Sequence, residues 1–308
     1  MPVSSVQTRA RSHYRRQQKV ALAAVRAVRR AVRTSRTPAA ATTAATTTLA
    51  AYQMASAMSA SSTMAAEAAR DVLAAPAAFA GTTMLGYPIE TPIETIISRL
   101  AADLDRDLEQ MTAHAMASLD LFVQAETIAA GADAASVEIV MEPAWENYVR
   151  VLVPPSCDRC TILAGRIYRD LDGFPRHPRC DCQHWPVSSW AEAEAQGLVT
   201  DPGIAFERGQ VRGLSKADAQ AIRDGADIGE IVNAKRGGGR RPQGMTDAVT
   251  AEVFGRTVKA TLNGTTKRAA WRKAHPDLPI RLRPQSIYEH AKDRDDALRL
   301  LRLYGYTR

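Results

Sequence analysis

All four cysteines of the 308-residue chain lie in one stretch, CDRCTILAGRIYRDLDGFPRHPRCDC, from Cys157 to Cys182, with His177 inside it and His184 just beyond. Thiolates and imidazoles are the donors that zinc takes in a tetrahedral structural site, and a Cys-x-x-Cys turn supplies two of the four without strain. The second pair must come from His177, Cys180, Cys182 and His184. The preferred set is Cys157, Cys160, His177 and Cys182, with Cys180 and His184 as rivals. One or two disulfides, or reduced buried thiols, are the alternatives to a structural zinc.

The same letters can be tested against zinc and thiol enzymes. A zinc deaminase carries His-x-Glu ahead of Pro-Cys-x-x-Cys, because the glutamate shuttles the proton; here the histidines follow the first cysteine pair and bring no such glutamate. The His-Glu-x-x-His helix of metalloproteases is absent from the sequence. A cysteine hydrolase needs a thiol activated by a histidine. Cys180 or Cys182 with His177 offers the residue types, but nothing in the spacing demands it.

The elements around the cysteines follow from composition. Tyr148 to Val153 is rich in β-branched and aromatic residues and is closed by Pro154 and Pro155, so a short strand should deliver Cys157 and Cys160 into a turn. TILAGRIY then supplies apolar packing broken by Gly165, and DLDGFPRHPRCDCQHWP reads as a Pro/Gly-rich loop. A loop with so little apolar content needs a cross-link.

Upstream, YRRQQKVALAAVRAVRRAVR has helical spacing, with Val20, Ala24, Val28 and Ala31 on one stripe. An Ala/Thr/Ser tract follows to about residue 80, helical or partly disordered at its start. TPIETIISRLAADLDRDLEQM carries Thr91 as N-cap, Pro92 at the first helical position and Glu94 in the first turn, followed by apolar residues at helical spacing. That helix should continue, kinked or straight, until Gly131 stops it. Downstream, Ser215 and Asp218 form a capping box, Gly225 ends that helix, and Asp227 caps the next. This pair is either a packing hairpin or a helix-turn-helix with Arg223, Lys235, Arg236, Arg240 and Arg241 near phosphates. SIYEHAKDRDDALRLLRLYGY reads as one last helix.

Charge is segregated along the chain. Residues 1–36 hold ten Arg or Lys and no acid, residues 90–146 hold twelve acids against two arginines, and residues 234–283 hold twelve bases against three acids. The ends favour a polyanion. Arg9, Arg11, Arg15, Arg16, Arg29 and Arg30 are the candidate nucleic-acid contacts, and the acidic middle is either a solvated face or a surface for a basic partner. No secretory signal stands at the start. The uncharged interval from Thr37 to Ala66 is too poor in large apolar residues for a transmembrane span.

CDRCTILAGRIY followed by FPRHPRCDCQHWP resembles the phage Mu F-like head morphogenesis family, through Cys157, Cys160, Leu163, Gly165, His177, Pro178, Cys180, Cys182 and Pro186. ADAQAIRDGADIGEIVNAKRGGG, NGTTKRAAWRK and RLRPQSIYEHAKDRDDALRLLRLYGYTR look like the C-terminal half of such proteins from phages of actinobacteria. The resemblance covers about residues 140–308. Asp181 departs from it, since many relatives have a basic residue between the two cysteines, and this unsettles the ligand set.

The resemblance implies a minor capsid protein with a structural and assembly role at the portal or capsid interior. It would bind portal, capsid or scaffold protein, contact phage DNA, and reside in the virion after assembly in the host cytoplasm. A capsid maturation protease label attaches to some relatives, and a plain DNA-binding module is a further alternative. The expected fold is α+β and predominantly helical. Residues 1–88 form a basic arm and Ala/Thr-rich segment, 89–135 an acidic helical stalk, 136–200 a zinc-knuckle-like Cys/His domain, and 201–308 a helical C-terminal region.

Overall fold

The computed structural model describes residues 5–73, 76–102, 108–145, 147–164, 166–169, 182–235, 248–253, 256–261 and 280–307. The fold is predominantly helical α+β. It divides into two compact units: residues 1–154 with 164–200, and residues 155–163 with 201–308. Among the described residues no helix is long and apolar enough to cross a membrane.

The first unit is built on helices α1 (Ser5–Thr34), α2 (Pro38–Glu67), α3 (Glu90–Ala102) and α4 (Leu108–Val140). On α1 the buried stripe is Val6, Ala10, His13, Gln17, Ala21, Ala24 and Val28. The expected stripe shared only Ala24 and Val28 with it; Val20 and Ala31 are half-buried. Two polar residues in the interior, His13 and Gln17, hid the first half of this face from a reading by hydropathy.

The Ala/Thr tract is helical from Pro38. Thr37 caps it by accepting the Ala40 N–H at 3.2 Å, and Ala41, Ala45, Leu49, Gln53, Ser56, Ala57 and Ala60 face inward. Small side chains there bury little area each, but they let the helix backbones come close. The larger apolar contribution comes from Leu49, Ile89, Ile93, Ile97, Leu119 and Val123, which share one core with Ala24, Val28, Ala41 and Ala45. Each fully buried Leu or Ile of this kind contributes roughly 2 kcal/mol by area.

Gly131 does not stop a helix. α4 runs through it to Val140. A Cβ at Gly131 would fall 2.6 Å from Ser56 Oγ and closer still to Gln17 Oε1, so the glycine marks the place where α1 and α2 press on α4. From Glu126 to Ala132 every residue of α4 is buried, which makes α4 the central helix of the unit.

After α4 come β1 (Asn147–Val151), then β2 (Ser156–Cys157) and α5 (Asp158–Leu163), which belong to the second unit, and then β3 (Ile167–Arg169) and β4 (Gln183–Val187). β1 lies between β3 and β4, antiparallel to both. QHWP, assigned to a loop in the sequence, thus lies with Val187 in a fully buried strand. Its Pro186 fits an edge strand, where one side needs no ladder donor. The strand leads into α6 (Trp190–Ala195).

In the second unit β2 pairs in parallel with β5 (Val211–Arg212), after α7 (Pro202–Glu207). α8 (Lys216–Arg223) starts at the expected capping box: Asp218 N–H donates to Ser215 Oγ at 3.1 Å and Ser215 N–H to Asp218 Oδ2 at 3.0 Å. Gly225 follows with φ +94°, and Asp227 Oδ1 accepts from Glu230 N–H at 3.0 Å at the start of α9 (Ile228–Lys235).

The region expected to be helical also carries an antiparallel sheet of β6 (Ala248–Val253), β7 (Arg256–Thr261) and β8 (Arg281–Leu282). The last helix is in fact two, α10 (Pro284–His290) and α11 (Arg294–Leu303). The break comes at Ala291, which is extended (φ −62°, ψ 136°), and Asp293 opens the second helix by accepting from Asp296 N–H at 2.8 Å. Ile231, Val258, Leu282, Ile287, Leu301, Tyr304 and Tyr306 form the core.

Candidate Cys/His site and basic helix face

One face of the β3-β1-β4 sheet gathers polar side chains that β-alternation brings together. Tyr148 and Arg150 are two apart on β1, and Arg150 pairs directly with His184 on β4. The Cys182 sulfur, two residues before His184, accepts from Arg150 Nη1 at 3.6 Å. Tyr148 stacks on Tyr168 at 5.4 Å between centroids and lies 5.0 Å from the His184 ring. Arg150 also sits 5.9 Å above the Tyr168 ring. Cys182, Arg150, Tyr148 and His184 are all buried. A guanidinium out of water is costly unless it is matched, and here a sulfur and an aromatic face meet it.

α4 supplies the next contact. Ser136 Oγ lies 2.7 Å from His184 Nδ1 and 2.9 Å from the Ala132 carbonyl. Ser136 thus ties the His184 ring to α4, and an outer hydrogen bond on one ring nitrogen is what orients a histidine that ligates a metal through the other.

The Cys-x-x-Cys turn belongs to the second unit. β2 presents Cys157, and the first turn of α5 folds back so that Cys160 N–H donates to Cys157 Sγ at 3.3 Å and Thr161 Oγ1 to the Cys157 carbonyl at 3.0 Å. Both sulfurs are buried. Lys235 of α9 fixes the turn by reaching Asp158 at 2.8 Å and Asp218 at 3.3 Å, and it also donates to the Gly213 carbonyl. A backbone N–H on a cysteine sulfur supports a thiolate, so this turn fits half of a zinc donor set.

The expected ligands therefore fall in two places. Cys157 and Cys160 are in one unit, Cys182 and His184 in the other, and His177 and Cys180 lie outside the described residues. No disulfide joins any two of Cys157, Cys160 and Cys182. Among the described residues no three His, Cys, Asp or Glu side chains form a group that could hold a metal ion.

The six candidate arginines divide by what they touch. Arg9 pairs with Glu67 at 2.7 Å, Arg29 with Asp120 through Nε at 2.7 Å and through Nη2, and Arg16 bonds Ser12 and Thr63, both at 3.1 Å. These three hold α1 against α2 and α4. Arg15 and Arg30 are exposed and Arg11 is half-buried. The acidic middle block thus takes one of its basic partners, Arg29, from the chain's own first helix.

The α8–α9 pair packs as a hairpin, burying Ile228, Ile231, Val232 and Ala234. Its cations are engaged within the unit: Lys235 as above, and Arg223 over the Phe206 ring at 5.8 Å. Arg236, Arg240 and Arg241 lie outside the described residues. Sequence reasoning missed Arg150 and Ser136. A signal for Arg150 existed, since a lone charge in the apolar run YVRVLV is out of place unless something inside meets it.

No family model, curated protein or solved structure matches the chain.

Proposed function

We propose that this chain is a minor capsid protein of a phage head, with a structural and assembly role at the portal or the capsid interior. The reading rests on the resemblance of residues 140–308 to Mu F-like head morphogenesis proteins. The structural observation that supports it is burial: Cys157, Cys160 and Cys182 are 7%, 0% and 0% exposed, so these thiols face the interior rather than a substrate. Portal, capsid or scaffold protein and phage DNA are the partners. The protein resides in the virion after assembly in the host cytoplasm.

A structural zinc is part of this reading. Cys157 and Cys160 would supply two donors and His177 and Cys182 the others, with Cys180 and His184 as rivals. The ion would cross-link chain that has little apolar surface of its own. The hydrolase alternative would require Cys180 or Cys182 to reach a substrate, and at Cys182 no surface is open to one.

The test uses the full chain. It should co-purify with portal protein and be found in intact particles by mass spectrometry, with about one zinc per chain and no disulfide by thiol counting. Particles that assemble normally without it would overturn the assembly role. Metal-free protein with unchanged melting would remove the zinc and leave the assembly role standing.

A further inference from the structure

α1 carries no acid, and the first acidic residue of the chain is Glu67. Its buried residues, Val6, Ala10, His13, Gln17, Ala21, Ala24 and Val28, define one side of the helix. At 100° per residue, Arg15, Lys19, Arg26, Arg30 and Arg33 fall within about 60° of one another on the opposite side. All five are exposed, and among the described residues none makes an ion pair. With a rise of 1.5 Å per residue they span about 27 Å in a straight line.

We propose that this outward row, Arg15, Lys19, Arg26, Arg30 and Arg33, is a docking rail for the phosphate backbone of a double-stranded nucleic acid. The inference rests on the reading that DNA is among the partners, and it moves the contact away from Arg9, Arg16 and Arg29, which have partners inside the unit. Arg15 with Lys19, and Arg26 with Arg30, are like charges four residues apart, a spacing that weakens a helix unless an anion relieves it. No carboxylate on α1 does so. Duplex phosphates do, at high charge density and with release of condensed counterions.

The proposed contacts are to phosphates, which fix position but carry no sequence information, so the row binds without regard to sequence. An anionic membrane fits less well. A helix that lies in a bilayer surface needs an apolar face to insert, whereas the apolar face of α1 is spent in the bundle core and Leu22 is the one large apolar residue on the outer side.

The experiment measures binding of the full chain to a labelled 20-base-pair DNA duplex across a salt series, with a duplex RNA and phosphatidylserine vesicles as parallel probes. Five phosphate contacts give a log–log salt slope of about −4.5. Changing the five row residues to Gln should weaken binding at least tenfold at low salt and flatten the slope, with unchanged circular dichroism. The triple variant R9Q/R16Q/R29Q should keep the slope within about one unit of the parent. If the triple variant loses the slope and the row variant keeps it, the rail is wrong while DNA remains a partner. If the parent binds neither duplex with salt dependence, DNA itself falls as a partner, and binding to vesicles alone would assign the row to a membrane.

Discussion

Gln17 of α1 lies against the backbone of Gly131 in α4, where a methyl group has no room. Gln17 also exchanges hydrogen bonds with Ser56 of α2: its Nε2 donates to the Ser56 carbonyl at 3.2 Å, and Ser56 Oγ donates to its Oε1. Three helices thus meet at one glycine through a buried polar pair. In an exposed helix Gly→Ala would gain about 1 kcal/mol. Here overpacking costs about 1–3 kcal/mol, so G131A should lower the melting temperature. G131A/Q17A should recover part of the loss, because the second change removes the nearer of the two atoms that the methyl strikes and leaves only Ser56 Oγ.

Ala69 has φ +54°, the left-handed region, one residue beyond the cap of α2. Ala65 O accepts from Arg70 N–H at 2.8 Å there, closing the helix end. The conformation costs an alanine about 1 kcal/mol relative to glycine. A69G should raise stability by roughly that amount in a denaturant titration.

That turn delivers Arg70 to Glu138, whose side chain is wholly buried, at 2.7 Å, and to Glu142 at 3.4 Å. R70M would leave the Glu138 carboxylate without its cation, a loss of about 3 kcal/mol. R70M/E138Q should lose less than R70M alone, and a double-mutant cycle by chemical denaturation measures the difference.

Glu126 accepts the Met84 N–H at 2.7 Å in a buried setting. Burial raises its carboxyl above the ordinary glutamate value, the Met84 N–H works against this, and Asp133 adds to it. The folded chain therefore holds this proton more tightly than the unfolded one. The associated stability is complete below the ordinary glutamate value and is lost as pH rises through the shifted one. In E126Q the denaturation midpoint should change less across that window than in the parent.

Tyr306 sits beneath Arg281, 4.2 Å from guanidinium to ring centre, and donates to the Leu282 carbonyl at 2.9 Å. Burial pushes its hydroxyl up to about 12 from 10.0, against the opposing effect of Arg281 and Arg283. A raised tyrosine stabilises the fold below its unfolded value, and that contribution is lost between about pH 10 and about pH 12. Tyr288 and Tyr304 of the same unit are raised by burial as well, so absorbance at 295 nm should show a group of late-ionising tyrosines, and Y306F should shrink that late step by one tyrosine.

Periodicity and capping made much of this fold legible. The capping box at Ser215, the strand after Tyr148 and the helical spacing around Ile93 all follow from local chemistry. Gly131, β4 and the inward polar residues of α1 did not, because their placement depends on neighbours distant in the chain. The break before Asp293 had a local sign in Asp293 and Asp296, but apolar spacing on both sides outweighed it. For the candidate site, residue types were readable while grouping was not: nearness in sequence put Cys157, Cys160, Cys182 and His184 together, and the chain assigns them to two units.

The excursion of residues 155–163 into the second unit also bears on how the protein is made. During synthesis Cys157 and Cys160 leave the ribosome well before α7, β5 and α9, the elements on which α5 packs. At about 5–20 residues per second, both thiols stay uncovered on the nascent chain for several seconds, until Lys235 has emerged to meet Asp158. Oxidants or stray metal ions act on them most readily in that interval, so yield of correctly folded protein should depend on the redox state of the cell that translates it.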